Sequence, residues 1–338
     1  MIAGSSGIPK PNRSMRPLLL LLLFSHPAIA LGGIAVRFDL ENGRAELSGV
    51  GGEWRWDVDP TALAEALPAF QAALVLGEWD DQLAKTLGSA LLGPAAAVLD
   101  TASVWMAEPV DVAPLDALIL PGRDQPIGRT ATVGYLPHRA ATGSPPRGGL
   151  LVVDPFIPGN DNASDDPYIF YEPMRREVRS NALIPRDDAT PNVVAAILGD
   201  EPVGLIWVRS TPAQARAFLP ALRRGPPLLL WTRSEEELAT CPLDRATALE
   251  VCVGWAEGGG AIVADLWPVD ESDRAPAMGR WVAELTRGAT GFDAYRRARR
   301  LLVESRPVPE WAGWIHVGDP ATLAQLPPPT WWQRLWQR

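Results

Sequence analysis

Two groups of side chains in this sequence could do chemistry: a thiol with an imidazole, and a run of carboxylates. The chain has two cysteines and three histidines. A cysteine nucleophile needs a neighbouring base to accept its proton, and Cys241 with His138 is the combination available for that role. Cys252 lies in an apolar helical stretch typical of core packing. His316 lies in an apolar strand, where we expect it half-buried with its hydrogen bonds satisfied.

The carboxylates Asp270, Glu271 and Asp273 follow the segment Trp267-Pro-Val. Acids at the carboxyl end of a parallel strand are well placed to bind a guanidinium group. Acids at the start of a helix also interact favourably with its positive dipole end. Both interpretations remain open, and the first predicts a protein or peptide partner with a basic side chain, bound by these acids beside Trp267.

Several other chemistries are excluded by the sequence. There is no P-loop, dinucleotide fingerprint or G-x-S-x-G motif, and Gly258–Gly260 precedes a strand rather than a helix. The histidines lie far apart, and no Cys/His pair has zinc-ligand spacing. We therefore predict neither a cofactor nor a metal. The formal net charge of −9 argues against a nucleic-acid partner.

The elements that would position these residues alternate between strands and helices. Uninterrupted apolar runs are typical of parallel strands covered on both faces, and helical stretches separate them, which predicts an α/β fold. The predicted strands include Leu150–Val153, Val203–Val208, Leu228–Trp231 and Ala261–Leu266, after shorter ones at Val104–Met106, Ala117–Leu120 and Thr132–Leu136. Helices are predicted at Ala62–Leu76, Asp80–Leu91, Pro191–Leu198, Pro212–Arg223, Arg245–Glu257, Arg274–Arg287 and Phe292–Glu304, and a last strand at Trp311–Val317.

The N-terminal part combines a leader with a predicted hairpin. Residues 15–30 show a basic start, a short apolar run and Ala28-Ile29-Ala30, a secretory signal pattern. A disordered leader before a buried first strand fits as well, so export and a cytoplasmic location both remain open, as does a start at Met15. Residues 34–40 and 44–58 alternate around Asn42-Gly43, which predicts a β-hairpin.

Two further segments carry charge or aromatic side chains. Arg296, Arg297, Arg299 and Arg300 form a basic run that we interpret as a solvated helix face. Near the C-terminus, Trp331, Trp332 and Trp336 interleave with arginines. Such residues suit an interface or weak contact with a membrane surface, and a tail folded back onto the domain fits equally.

The C-terminal third resembles CHAT domains, which are caspase-like domains of the separase-related cysteine peptidase clan. The resemblance rests on Gly258–Asp270 with its Trp-Pro-Val-Asp motif, followed in order by two helices, Trp311-Ala312 and an apolar strand ending at Gly318-Asp319-Pro320. Upstream, Leu150–Pro155 and Asp116–Tyr135 agree with the family's earlier strands in order. The resemblance implies a caspase-like three-layer sandwich with a mostly parallel sheet. Together with the segments predicted above, it divides the chain into a leader (residues 1–30), a hairpin (31–60), the CHAT-like domain (61–322) and a Pro/Trp-rich tail (323–338).

Active members of this family resemble endopeptidases that cut after basic residues. Their catalytic His follows one apolar strand and their Cys the next, slots that correspond here to Arg209-Ser210 and Arg233-Ser234. Arginine cannot accept a proton at neutral pH, and no base accompanies the two serines. We therefore predict a non-catalytic, protein-binding member. The alternative is an active peptidase with a rearranged pair, Cys241 and His138; an ordinary loop cysteine is the interpretation of Cys241 that we favour.

Overall fold

The computed structural model describes residues 33–49, 52–136, 148–154, 174, 178, 180–185, 188–223, 225–233 and 245–327. These residues form an α/β structure with one large, mostly parallel sheet flanked by helices, a three-layer sandwich. The predicted fold class is therefore confirmed. Its hydrophobic residues form one continuous core that reaches from the first strand to the last.

Eleven strands form the sheet in the order β3-β2-β1-β4-β5-β11-β10-β9-β8-β6-β7. Their bounds are β1 Ile34–Asp39, β2 Arg44–Gly49, β3 Gly52–Asp57, β4 Val104–Glu108, β5 Thr132–Tyr135, β6 Gly149–Asp154, β7 Ser180–Pro185, β8 Val203–Arg209, β9 Leu228–Thr232, β10 Ala261–Asp265 and β11 Trp314–Gly318. Strands β6 to β10 all run parallel, and β11 pairs antiparallel with β10. On its other side β11 runs parallel to β5, which continues to β4 and β1.

Helices connect the strands and cover the sheet. Their bounds are α1 Leu67–Val75, extended at its start by a π-helical turn Ala62–Ala66, α2 Asp81–Leu92, α3 Ala96–Leu99, α4 Pro191–Asp200, α5 Pro212–Leu222, α6 Arg245–Glu257, α7 Glu271–Thr286, α8 Gly291–Ser305 and α9 Val308–Ala312. Helix α4 packs on α5 and α5 on α6, while α7 packs on α8. No helix among the described residues is long and apolar enough to cross a membrane.

The N-terminal hairpin extends the main sheet. The predicted second strand, residues 44–58, divides into β2 and β3, so the segment is a three-stranded meander. Strand β1 pairs parallel with β4 and thereby joins the meander to the rest of the sheet. The buried face of β1 carries Val36 and Phe38, and the opposite face carries exposed charges, the alternation expected of a half-buried strand.

Two predicted strands were placed wrongly. Ala117–Leu120 is buried but forms no strand, because Ile119 donates its backbone N–H to Ala84 O of α2 at 3.3 Å instead of pairing with a strand. The last strand begins at Trp314 rather than Trp311, because Trp311 and Ala312 end helix α9. An apolar run indicates burial. Residues 117–120 and 311–312 are buried, but they lie outside the strands of the sheet.

Candidate functional site

The carboxyl ends of β6, β8, β9 and β10 lie side by side at one edge of the sheet. Strands β8 and β9 are adjacent and parallel, with Arg209 opposite Thr232. The chain runs from β6 outward to β7 and then crosses back over β6 to β8, so the strand order reverses between β6 and β8. In open α/β sheets such a reversal forms a crevice at the carboxyl ends where ligands bind. Both predicted catalytic slots lie at this edge.

Arg209 closes the crevice between β6 and β8. Its Nη1 lies 3.3 Å from Asp154 Oδ2 and 3.4 Å from Asp154 Oδ1. Asp154, the last residue of β6, is fully buried, and 15% of the Arg209 side chain is exposed. The guanidinium group of Arg209 therefore spans the strand reversal between β6 and β8.

Ser210 is also fully buried and serves the packing of this edge. Its backbone N–H donates to Thr232 O at 3.1 Å. Its Oγ accepts a hydrogen bond from Trp231 Nε1 at 3.2 Å, and Trp207 Nε1 donates to Thr232 Oγ1 at 2.9 Å. The hydroxyl groups at the ends of β8 and β9 thus satisfy two buried indoles, and no base among the described residues contacts Ser210 Oγ.

Arg233 and Arg274 surround the carboxylate at the end of β10. Arg233 is 1% exposed and donates from Nη1 to Leu266 O at 2.7 Å. Arg274, from the first turn of α7, is equally buried, and its Nη2 lies 2.9 Å from Asp265 Oδ1. Both guanidinium groups lower the pKa of Asp265, but burial is the larger effect and raises that pKa to about 6. Asp265 is therefore mostly ionised at pH 7, and its negative charge is balanced by these two arginines.

The predicted basic-side-chain site lies where α7 begins. Asp270 is exposed, and its backbone oxygen accepts the N–H groups of Asp273 and Arg274 at 3.2 and 3.3 Å. The Asp273 carboxylate pairs with Arg306, which follows α8. Burial raises the pKa of Glu310, and the neighbouring charges of Asp273 and Asp270 raise it further. An internal arginine thus already interacts with part of this acidic group.

Trp267 supports this region from inside. It is 2% exposed and donates from Nε1 to Pro309 O at 3.0 Å. A Cβ on Gly313 would meet the indole ring of Trp267 at 2.6 Å, so the ring packs directly against the backbone before β11. Trp267 therefore fixes α9 against the end of β10, beneath the acids.

The described residues enclose a small cavity at this edge. It has a volume of about 10 Å³ and is lined by Trp207, Thr232, Asp265, Val269, Arg274, Ala275 and Met278. That volume holds about one water molecule. A larger groove of about 910 Å³ lies on the N-terminal meander instead. In the part of the chain that the structure describes, no three His, Cys, Asp or Glu side chains are grouped to hold a metal ion.

Several predicted residues lie outside the described residues: Ser234, Cys241, His138, the leader up to residue 30, and the tail with Trp331, Trp332 and Trp336. Glu271 begins α7. Cys252 is buried in α6, which confirms its place in the core. Burial raises the pKa of its thiol to about 12, so this cysteine is no nucleophile at neutral pH.

The interpretation of residues 296–300 as a solvated face is wrong for Arg299. Its side chain is fully buried, pairs with the buried Asp116 and lies over the Trp311 ring at 4.7 Å. Arg296 pairs with Asp293 at 3.1 Å. The basic run is thus partly neutralised by acids of the same chain.

The prediction that His316 is half-buried with its hydrogen bonds satisfied is also wrong. It is fully buried in β11, and neither ring nitrogen has a hydrogen-bond partner among the described residues. Phe292 contacts its ring edge-on at a centroid distance of 5.2 Å. Burial lowers the pKa of His316 to about 3, so the imidazole is neutral throughout the ordinary pH range.

Sequence reasoning missed the acids that hold the two arginines. Asp154 and Asp265 each follow directly on an apolar run, in Leu-Val-Val-Asp and Ile-Val-Ala-Asp. A carboxylate at the end of a fully buried strand needs a cationic or hydrogen-bonding partner. That signal could have predicted an ion pair at each strand end.

No protein-family model matches the sequence, and no curated protein matches it in a sequence comparison.

Proposed function

We propose that this protein is a non-catalytic, CHAT-like module that binds a protein or peptide partner. The observation that carries the proposal is the engagement of Arg209 and Arg233 at the two catalytic slots. Arg209 pairs with Asp154 at 3.3 Å, and Arg233 donates to Leu266 O at 2.7 Å. In a CHAT-like domain, these would be the positions of the nucleophile and its base.

The protonation chemistry of arginine supports the same conclusion. A general base must release and accept a proton near the operating pH. A guanidinium group remains protonated at neutral pH. Neither slot can therefore activate a nucleophile, whereas each supplies a fixed cation that holds two neighbouring strands together.

A basic side chain of the partner is the ligand that the acids at the start of α7 favour. Asp270 is exposed there, and Asp273 and Glu310 lie close enough to influence one another's charge. Arg306 beside Asp273 illustrates the kind of cation that these carboxylates accept. A partner's arginine or lysine would bind at Asp270, on the exposed side of this group.

A cleavage assay tests the absence of catalysis. The full chain is incubated with a peptide library that contains Arg and Lys at every position, beside the Cys241→Ala variant. We expect no cleavage by either protein, with folding verified by circular dichroism. Cleavage that Cys241→Ala abolishes would contradict the proposal and establish a rearranged cysteine peptidase.

A binding assay tests the partner chemistry. Fluorescence anisotropy measures the affinity for labelled peptides that contain arginine, and for the same peptides with citrulline. We expect Asp270→Asn to weaken binding of the arginine peptides about tenfold, because it removes a charge-assisted hydrogen bond. Asp81→Asn, at the start of α2, is the matched control and should leave binding unchanged. Equal affinity of arginine and citrulline peptides would contradict the assignment.

A further inference from the structure

Strand β3 is one of the two edges of the sheet, and no strand of the described part of the chain pairs with its outer side. Among the described residues, β3 pairs with β2 alone. The residue after β3, Val58, donates its backbone N–H to Gly43 O at 2.7 Å, toward β2. Because backbone groups alternate along a strand, the N–H and C=O groups of Arg55 and Asp57 point outward.

The charged side chains of the meander form two rows that cross the strands with alternating sign. In the first row Arg55 lies opposite Glu46, and Glu46 opposite Arg37. In the second, Asp57 lies opposite Arg44, and Arg44 opposite Asp39. Arg55 Nε is 3.4 Å from Glu46 Oε2, and Arg44 Nε is 3.6 Å from Asp57 Oδ1. Each row ends at the sheet edge with an exposed charge: the Arg55 side chain is 76% exposed and Asp57 is 92% exposed.

The other face of β3 is apolar. Trp56 is buried and donates from Nε1 to Leu91 O at 2.9 Å, while Trp54 is half-buried. A strand added to β3 must therefore place charges on one face and apolar side chains on the other. If the added strand were shifted by one residue against β3, its charged and apolar faces would be exchanged. Every second pairing register is therefore excluded.

Two antiparallel registers of a second copy of β3 set Arg55 opposite an acid, which is either Glu53 or Asp57 of that copy. With Glu53 as the partner, Asp57 would lie beyond the start of the second strand at Gly52, so the first charge row alone would continue. With Arg55 opposite Asp57 of the second copy, both charge rows continue with the correct alternation. In the same register Trp56 lies opposite Trp56 of the second copy, and Trp54 opposite its Val58. Pairing Arg55 with Arg55 instead would set like charges opposite each other, which is unfavourable.

We propose that two copies of this protein pair antiparallel through β3, with Arg55 of each copy opposite Asp57 of the other. Each of these two pairs exchanges both backbone hydrogen bonds, since the outward groups of both residues face the interface. The two-fold symmetry uses one edge from each copy, so the assembly closes as a dimer. An edge strand that carries charges of one sign repels a second copy of itself and is thereby protected from pairing. Strand β3 carries charges of both signs, so it lacks this protection.

Sedimentation velocity of the full chain over a range of concentrations tests the pairing. We expect a reversible dimer. Arg55→Glu should raise its dissociation constant about tenfold or more, because two attractive cross-strand pairs become repulsive. The matched control is Arg216→Glu, which turns the exposed pair of Arg216 with Glu250 into a like-charge contact on helices α5 and α6. It should leave the dissociation constant unchanged. A monomer at every concentration, or equal effects of the two variants, would overturn the proposal.

Charge exchange tests the register. Asp57→Arg should weaken the dimer as Arg55→Glu does, and the double variant Arg55→Glu with Asp57→Arg should restore it. In a Cys241→Ser background, Arg55→Cys with Asp57→Cys should give a disulfide-linked dimer on a non-reducing gel, because directly opposed strand residues lie within disulfide reach. An Asp57→Arg variant that dimerises like the wild type would show the register to be wrong. A covalent product that contains a different protein would show that another chain occupies the edge.

Discussion

The two regions of this sheet that are richest in charge use their ion pairs in opposite ways. At the carboxyl edge, Asp154 and Asp265 are fully buried, and arginines of the same chain surround them. On the meander, Arg44 and Asp57 form one pair at 3.6 Å, and their side chains are 73% and 92% exposed. Similar distances therefore describe two different energetic situations. A buried charge without its partner has lost its water, whereas an exposed charge without its partner is hydrated again.

The difference bears on function. A charge that is both buried and paired cannot leave its partner to bind something else without a large cost, so Arg209 and Arg233 are fixed parts of the fold. Exposed charges keep their hydration, and among the described residues the meander and the start of α7 carry several of them. Under the proposed function, the buried charges close the two slots and the exposed charges meet a partner.

The sharpest test of this contrast is removal of Arg274. Arg274→Ala leaves the Asp265 carboxylate buried without its closest cation, and we expect the free energy of unfolding to fall by about 3–5 kcal/mol. Urea unfolding monitored by tryptophan fluorescence measures the change. Arg280→Ala on the same helix is the control: its Nη2 pairs with Glu284 at 2.8 Å, but its side chain is 49% exposed. The control should lose under about 1 kcal/mol.

Replacement of the whole pair separates the cost of a lone charge from the value of the pair. Asp265→Leu with Arg274→Met removes both charges and keeps apolar volume at the site. We expect this double variant to be more stable than Arg274→Ala alone, because no unpaired charge remains buried. Equal destabilisation would mean that packing at this edge, and not charge, determines its stability.

His316 extends the comparison to a buried polar group that is neutral. Its folded-state pKa lies near 3, below the unfolded value of 6.5, because burial disfavours the charged ring. The stability it contributes is present above pH 6.5 and is lost as the pH falls toward 3, since the unfolded chain then binds the proton. Between pH 7 and pH 5 the loss amounts to about 2 kcal/mol.

The variant His316→Phe isolates this effect. Phenylalanine suits the neighbouring rings of Phe292 and Tyr295, so we expect the variant to retain its stability at pH 5 while the wild type loses about 2 kcal/mol. The raised pKa values of Asp116 and Asp265, both about 6, act in the opposite direction in both proteins. The difference between the two pH profiles therefore reports His316. Parallel profiles from pH 7 to pH 5 would mean that His316 binds its proton as readily in the folded state as in the unfolded state, which would contradict its lowered pKa.

The sequence predicted the elements of the carboxyl edge better than the pairs that close it. The apolar runs of β6, β8, β9 and β10 were located within one or two residues, because full burial on both faces leaves an unbroken run. The pair Arg209–Asp154 joins residues 55 positions apart, and no local pattern reports such a contact. On the meander, Asn42-Gly43 predicted the first turn, but the division of residues 44–58 into two strands depends on pairing across the sheet.

A smaller effect concerns the helix that follows β8. Thr211 is the N-cap of α5: its Oγ1 accepts the N–H of Gln214 at 3.2 Å, and Gln214 Oε1 accepts the N–H of Thr211 at 3.0 Å. Thr211→Ala removes one half of this capping box and should lower the free energy of unfolding by about 1 kcal/mol. Thr211→Ser keeps the hydroxyl group and should retain most of the stability. Equal losses in the two variants would show that the methyl group of Thr211, and not its hydrogen bond, stabilises the end of β8.

The smallest effect belongs to the meander and completes the contrast. Arg44→Ala breaks the exposed pair with Asp57, whose partner atoms lie 3.6 Å apart, and we expect a loss of under about 1 kcal/mol in the free energy of unfolding. The loss should shrink further in 1 M salt, where exposed charges are screened within about 3 Å. Arg274→Ala should keep its effect in the same salt, because ions do not reach a buried pair. Two results would contradict this expectation: a loss in the free energy of unfolding as large as that of Arg274→Ala, or a loss that does not change with salt. Either result would mean that the alternating charge rows stabilise the fold itself.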